Sequence, residues 1–167
     1  DEHAYRIANH LLQNHINSPA FELRFSQITL RCIKAFNFAL TGAESNATIN
    51  ENPINNWQKH HLTPDDTLTL SLPPSGLITY LAFDFPIAIK KFLGSCSQTT
   101  NEKSLGLFAP LIQSGDIFHQ LNRDHGQENI NDNKENKHEE AISSTTAHSV
   151  LQNITNVPPF APLRFYG

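Results

Sequence analysis

The chain has 167 residues, 38% hydrophobic and 17% charged, enough for one modest domain with an apolar core. Against 16 acidic residues stand 12 basic ones, a formal charge of −4, which excludes the clustered Lys and Arg that a phosphate backbone demands, so no nucleic acid is expected as a partner. No apolar run approaches a bilayer crossing, no basic-then-apolar leader opens the chain, and the 2 cysteines have no metal or disulfide spacing; a cytoplasmic protein away from the membrane is expected.

Ala4, Ile7, Ala8, Leu11, Leu12 and Ile16 recur every three or four residues and predict an amphipathic helix from Asp1 to Ile16, with Asp1 as its N-cap. Asn17-Ser18-Pro19 should end it, because the residue before a proline is pushed out of helical geometry. His3, His10 and His15 lack the i, i+4 spacing that sets two imidazoles on one metal, and none of the chain's other histidines supplies it, so no metal site is expected.

From Ala20 the period drops to two. Phe21, Leu23 and Phe25 alternate with Glu22 and Arg24; further strands follow through Ile28, Leu30 and Cys32, then Phe36, Phe38 and Leu40. Ala47–Ile49 and Ile54–Trp57 flank Asn50-Glu51-Asn52-Pro53, a predicted hairpin turn. Pro64-Asp65-Asp66 is another turn, and Leu68, Leu70 and Leu72 mark one face of the strand after it.

In Ser75–Phe83, Leu77, Thr79, Leu81 and Phe83 lie on one side of an extended chain and Ile78, Tyr80 and Ala82 on the other. Apolar groups on both sides predict a central strand covered on both faces, stopped by Pro86. Phe92 to Thr100 is a small, hydroxyl-rich loop, and Ser114-Gly115-Asp116 turns into a strand at Ile117-Phe118. Many short strands with a helix laid against them predict a mainly β domain, a barrel or sandwich, over residues 1–121. Residues 122–149 are rich in Asn, Glu, Asp, Lys, His and Ser and read as a low-complexity mobile segment. Residues 150–167 read as the start of a further strand or second lobe. The chain opens at Asp1 and holds no methionine, the mark of a piece of a longer protein.

The segments Leu40-Thr41-Gly42-Ala43, Gly76-Leu77-Ile78-Thr79-Tyr80-Leu81-Ala82, Leu93-Gly94-Ser95-Cys96-Ser97 and Ser114-Gly115-Asp116 follow one another behind the opening helix. Together they resemble the allophanate hydrolase subunit 2 family, which includes urea-amidolyase-related proteins, biotin-dependent carboxyltransferase-like proteins, the C-type subunit of bacterial 5-oxoprolinase, and KipA. The resemblance implies a cyclophilin-like β-barrel with one or two covering helices, lacking the family's N-terminal segment and C-terminal half. It implies a subunit of an ATP-dependent complex hydrolysing amide or ureido C–N bonds, with 5-oxoproline opened to glutamate as the expected reaction. ATP would be used by the complex, and biotin enters by resemblance. Partners would be a sister subunit of the subunit 1 (KipI-like) type and further 5-oxoprolinase or carboxylase subunits.

On that reading Gly94, Ser95 and Ser97 line a pocket with N–H and hydroxyl donors, flanked by Tyr80 and Asp116; no catalytic residue is assigned. Departures from the family pattern favour an alternative, a non-catalytic KipA-like regulatory module that binds a sister subunit. Phe85-Pro86 replaces a Gly-Gly pair, Cys96 stands for an Arg, Gln98 for a Thr, and the glycine-rich segment is shortened to Leu105-Gly106-Leu107-Phe108-Ala109. The lost guanidinium weakens anion binding. A module should have the pocket filled by Phe85 or Phe92. Trp57, Lys59, His60 and His61 contact a ligand within the resemblance, or are simply exposed in a hairpin arm.

Overall fold

A computed structural model describes residues 1–87, 112, 114–120, 148–153 and 164–166. Asp1 accepts the backbone N–H of Ala4 with its side chain at 3.2 Å and caps helix α1, Glu2–Leu11. The helix stops short of Ile16 because Gln13, at φ 58°, takes the left-handed conformation that ends many helices. Its inner stripe is Ala4, Tyr5, Ala8 and Asn9.

The strands are β1 (Ala20–Arg24), β2 (Ile28–Cys32), β3 (Phe36–Gly42), β4 (Thr48–Ile49), β5 (Asn52–Pro53), β6 (Gln58–Leu62), β7 (Thr67–Leu70), β8 (Ile78–Phe83), β9 (Ile117–Gln120), β10 (His148–Asn153) and β11 (Arg164–Tyr166). They form two antiparallel sheets, β11-β1-β8-β3-β6 and β5-β4-β7-β2-β10-β9. The mainly β expectation holds, with a single helix among the described residues. An isolated bridge pairs Ile87, beyond the end of β8, with Gln120 of β9; a continuous ladder closing the two sheets into a barrel is not found among the described residues.

β8 lies between β1 and β3 and is covered on both faces, as its sequence implies. Leu81 and Phe83 enter the core between the sheets, while Tyr80 and Ala82 face α1. The inter-sheet core is rich in edge-on aromatic contacts: Phe21 to Phe83 at 5.0 Å, Phe21 to Phe118 at 4.8 Å, and Phe36 to Phe85 at 5.3 Å between centroids. Each such buried side chain contributes about 1.5–3 kcal/mol of transfer free energy.

Three local expectations need correction. Phe25 does not extend β1; at φ 45° it turns out of the strand, and its N–H donates to the Leu77 carbonyl at 2.7 Å. The hairpin turn is tighter than four residues: Asn50 and Glu51, at φ 48° and 68°, form a two-residue reversal, and Asn52 and Pro53 already pair with Ile49 and Thr48. Leu72 lies beyond the end of β7 and is exposed.

β10 begins at His148 and pairs with β2 and β9, and β11 pairs with β1. The stretch read as the start of a further strand or second lobe therefore supplies strands to the same two sheets. At the end of β3, Gly42 has φ +85°, and a Cβ there would lie 2.4 Å from the Ile78 carbonyl oxygen. Only glycine fits that approach.

Candidate functional site

Cross-strand register builds a polar row under the helix. Glu22 on β1 pairs with Tyr80 on β8, and Tyr80 pairs with Thr41 on β3, so all three side chains point toward α1. Tyr80 and Thr41 are fully enclosed and Glu22 is 2% exposed. The Tyr80 hydroxyl donates to Glu22 Oε2 at 3.2 Å and accepts from the Asp1 nitrogen at 3.0 Å. Arg24 Nε lies 3.7 Å from Glu22 Oε1. Thr41 Oγ1 donates to the Ala4 carbonyl at 2.7 Å.

Next to this row runs another of Ala20, Ala82 and Ala39, small enough to let the helix backbone approach the sheet. Tyr5 packs 5.9 Å from Tyr80, ring to ring. Its hydroxyl and Asn9 Nδ2 both donate to the Ser18 carbonyl, at 2.8 and 2.9 Å. Asn14 Nδ2 donates to the Phe83 carbonyl at 2.8 Å. These bonds tie the helix and the turn after it to the sheet, satisfying polar groups that burial would otherwise penalise.

Sequence reasoning set Glu22 on a polar face and did not single it out. The signal was there: a carboxylate inside a strand whose neighbour is covered on both sides needs an internal partner, and Tyr80 is the hydroxyl in register with it. Enclosed as it is, the Tyr80 oxygen is reached by a ligand only if α1 moves.

The structure does not bring Tyr80 and Asp116 together. Asp116 is half-buried in the turn that leads into β9, in the second sheet, whereas Tyr80 faces the helix on the far side of the first. Gly94, Ser95 and Ser97, with Cys96, Gln98 and Phe92, lie outside the described residues. Phe85 is 7% exposed and is part of the inter-sheet core, packed on Phe36 and Phe83.

Other reactive groups are quieter. Burial, reinforced by the Asp66 carboxylate, pushes the Cys32 thiol up to about 11, and its Sγ donates to the Lys34 carbonyl at 3.1 Å. It is a protonated core thiol at neutral pH, not a nucleophile. Ser149 Oγ lies 3.4 Å from His119 Nδ1, across paired strands, beside a bulge in which Val150 is the extra residue. A shallow groove of about 230 Å³ runs along the outer side of α1, lined by His3, Arg6, Ile7, His10, Asn14 and Ile16, with Arg6 paired to Glu2. Among the described residues no three His, Cys, Asp or Glu side chains could together hold a metal ion, and no helix is long and apolar enough to cross a membrane.

Comparison with known proteins adds what geometry alone lacks. The family model for the carboxyltransferase domain, subdomains A and B, matches residues 1–158. The C-type subunit of 5-oxoprolinase from Escherichia coli is 34% identical over 116 residues, which cover 70% of this chain and 37% of that protein. Urea amidolyase of Saccharomyces cerevisiae is 24% identical over 157 residues, 93% of this chain and 8% of the yeast protein. The crystal structure of TTHA0988 superposes with a TM-score of 0.64 at 24% identity, over 71% of this chain and 43% of that one, a likeness of fold. The chain thus spans less than half the length of each of these proteins.

Proposed function

The chain belongs to the carboxyltransferase domain family, subdomains A and B, and from that premise we propose that it is a subunit of an ATP-dependent complex that opens 5-oxoproline to glutamate. The observation that carries this reading is its 34% identity with the C-type subunit of a 5-oxoprolinase, over 70% of the chain. In this reading the complex acts in the cytoplasm and consumes ATP, and the chain is held by a sister subunit of the subunit 1 type. Lactam opening passes through a tetrahedral carbon whose oxygen gathers negative charge, and such an oxygen is stabilised by fixed N–H and hydroxyl donors. Gly94, Ser95 and Ser97 are the candidates for donors of that kind; Tyr80, enclosed beneath α1, and Asp116, a carboxylate beside the second sheet, are not. Biotin would enter as a carboxyl carrier only if the complex follows the carboxyltransferase half of the family.

The test uses the full-length protein co-expressed with its neighbouring-gene partners, following glutamate released from 5-oxoproline with and without ATP. Release that needs both ATP and this subunit, and that falls when Ser95 and Ser97 are replaced by Ala, is the expected result. An assembled complex that releases no glutamate ends the proposal.

One observation favours a second reading, a non-catalytic regulatory module. Phe85, which by the family resemblance replaces a glycine, has its ring packed into the core on Phe36. On that reading glutamate release requires the chain but is indifferent to Ser95→Ala and Ser97→Ala.

A further inference from the structure

The helix-side face of β6 holds a histidine whose tautomer is set by its neighbours. Asn37 on β3 is the register partner of His61. Asp84 grips Asn37 twice: its Oδ1 accepts the Asn37 backbone N–H at 3.0 Å, and its Oδ2 accepts from Asn37 Nδ2 at 2.5 Å. The Asp84 N–H returns a bond to the Asn37 carbonyl at 3.0 Å. A carboxylate only accepts, so the amide nitrogen of Asn37 must be the atom facing Asp84, and the amide oxygen must face His61. That oxygen lies 3.0 Å from His61 Nδ1. An amide oxygen also only accepts, so Nδ1 carries the hydrogen and, in the neutral ring, Nε2 is left as an acceptor; the Asp66 carboxylate is close enough to interact electrostatically with the same ring.

The adjacent histidine is engaged differently. His60 faces the opposite side of the sheet, with Nε2 2.8 Å from the Asn55 carbonyl and its ring 5.3 Å from Phe38. Lys59 shares the face of His61, two residues away and therefore about 7 Å along the strand. Lys59 is exposed, and no ion pair of Lys59 is found among the described residues. α1 packs over β3 and β8, and β6 is the terminal strand of its sheet among the described residues.

A fixed acceptor beside an ammonium group selects a ligand that offers an N–H and a negative charge close together. We propose that His61 Nε2 and Lys59 Nζ form a binding site for a small carboxylic acid bearing an amide or ureido N–H. The N–H donates to His61, the carboxylate meets Lys59, and Asn37 and Asp84 act as positioning residues that hold the acceptor in one tautomer. The choice of probe rests on the function proposed above: 5-oxoproline carries a lactam N–H next to the carbon that bears its carboxylate.

The experiment is long-range proton–nitrogen NMR of the histidine rings in the full-length protein, with the His61 signals assigned from a His61→Asn variant. The expected result is an Nδ1–H ring at His61 whose Nε2 resonance moves on titration with 5-oxoproline and stays in place with 1-methyl-5-oxoproline, in which the N–H is blocked. Lys59→Ala should weaken that titration about tenfold or more, as loss of a charge-assisted bond does. Asn37→Leu should return His61 to a mixture of tautomers. An Nε2–H ring, a His61 resonance unmoved by 5-oxoproline, or equal binding of the methylated compound overturns the site. If the assembled complex releases glutamate while His61 stays silent, the site fails and the proposed function stands. If His61 binds the lactam while no glutamate forms, the site stands and the activity does not.

Discussion

Tyr80 and Glu22 are register partners on neighbouring strands, and the tyrosine hydroxyl donates to the carboxylate at 3.2 Å in a layer closed from solvent by the helix. A carboxylate so placed is held by its hydrogen bonds, and removing a donor is more costly than removing donor and acceptor together.

Tyr80→Phe should therefore destabilise the protein by about 1–3 kcal/mol, because it leaves a buried acceptor short of a partner. Combining it with Glu22→Leu should recover part of that loss, since an apolar pair leaves no carboxylate short of its Tyr80 donor. Urea unfolding of both single variants and the double variant gives the coupling; strict additivity would show that the two side chains do not act together.

Two glycines with positive φ should respond unequally to alanine. At Gly115, φ +92°, an added Cβ meets nothing within 4 Å, so Gly115→Ala should cost only the conformational penalty of about 1–2 kcal/mol. At Gly42 the Ile78 oxygen must also move, and that oxygen accepts the Ala43 N–H at 2.8 Å. Gly42→Ala should shift the urea midpoint clearly further than Gly115→Ala, at unchanged slope; equal shifts would contradict the close approach.

Asp66 links two turns. It accepts the Thr63 N–H at 2.7 Å, the Asn50 side chain at 2.6 Å and the Thr63 hydroxyl at 2.8 Å, and these bonds hold its carboxyl below the ordinary aspartate value. A lowered folded value means the contribution is fully present above the unfolded value of about 4 and is lost as pH falls through the folded one. Below about pH 4, Asp66→Asn should lose less stability with further acidification than the parent does. Unfolding midpoints recorded for both across that range check the sign, and parallel curves would refute it.

Much of the fold was legible because covered faces leave a periodic trace. Ile28, Leu30 and Cys32 alternate into the core, as do Phe36, Phe38 and Leu40, and the doubly apolar β8 has sheet neighbours on both edges and cover on both faces. What periodicity does not carry is the sign of φ at single residues. Gln13, Phe25, Asn50 and Glu51 each bend the chain with a positive φ, and each sets an element boundary. Three of these four side chains are not the glycine or asparagine that announces such a bend.

The candidate site was less legible, for a different reason. Glu22 looks like a solvent-facing residue between Phe21 and Leu23 until α1 is placed over it, and no local pattern says which face a distant helix will cover. The His61 network is likewise assembled from β3, β6 and the residue that follows β8, and its geometry comes from pairing rather than spacing. The segment holding Gly94, Ser95 and Ser97 stands out by its hydroxyl content and family resemblance alone.

The order in which strands meet also bears on how the chain is made. β1 leaves the ribosome early, yet its two sheet neighbours, β8 and β11, are synthesised much later, and β2 likewise waits for β7 and β10. Until they arrive, both early strands present unpaired edges and apolar faces to solvent, the state in which sheets join the wrong partner. A nascent chain halted after β3 should therefore be captured by holdase chaperones far more readily than one halted after β11, and pairing across such distances along the sequence makes slow folding the expected behaviour.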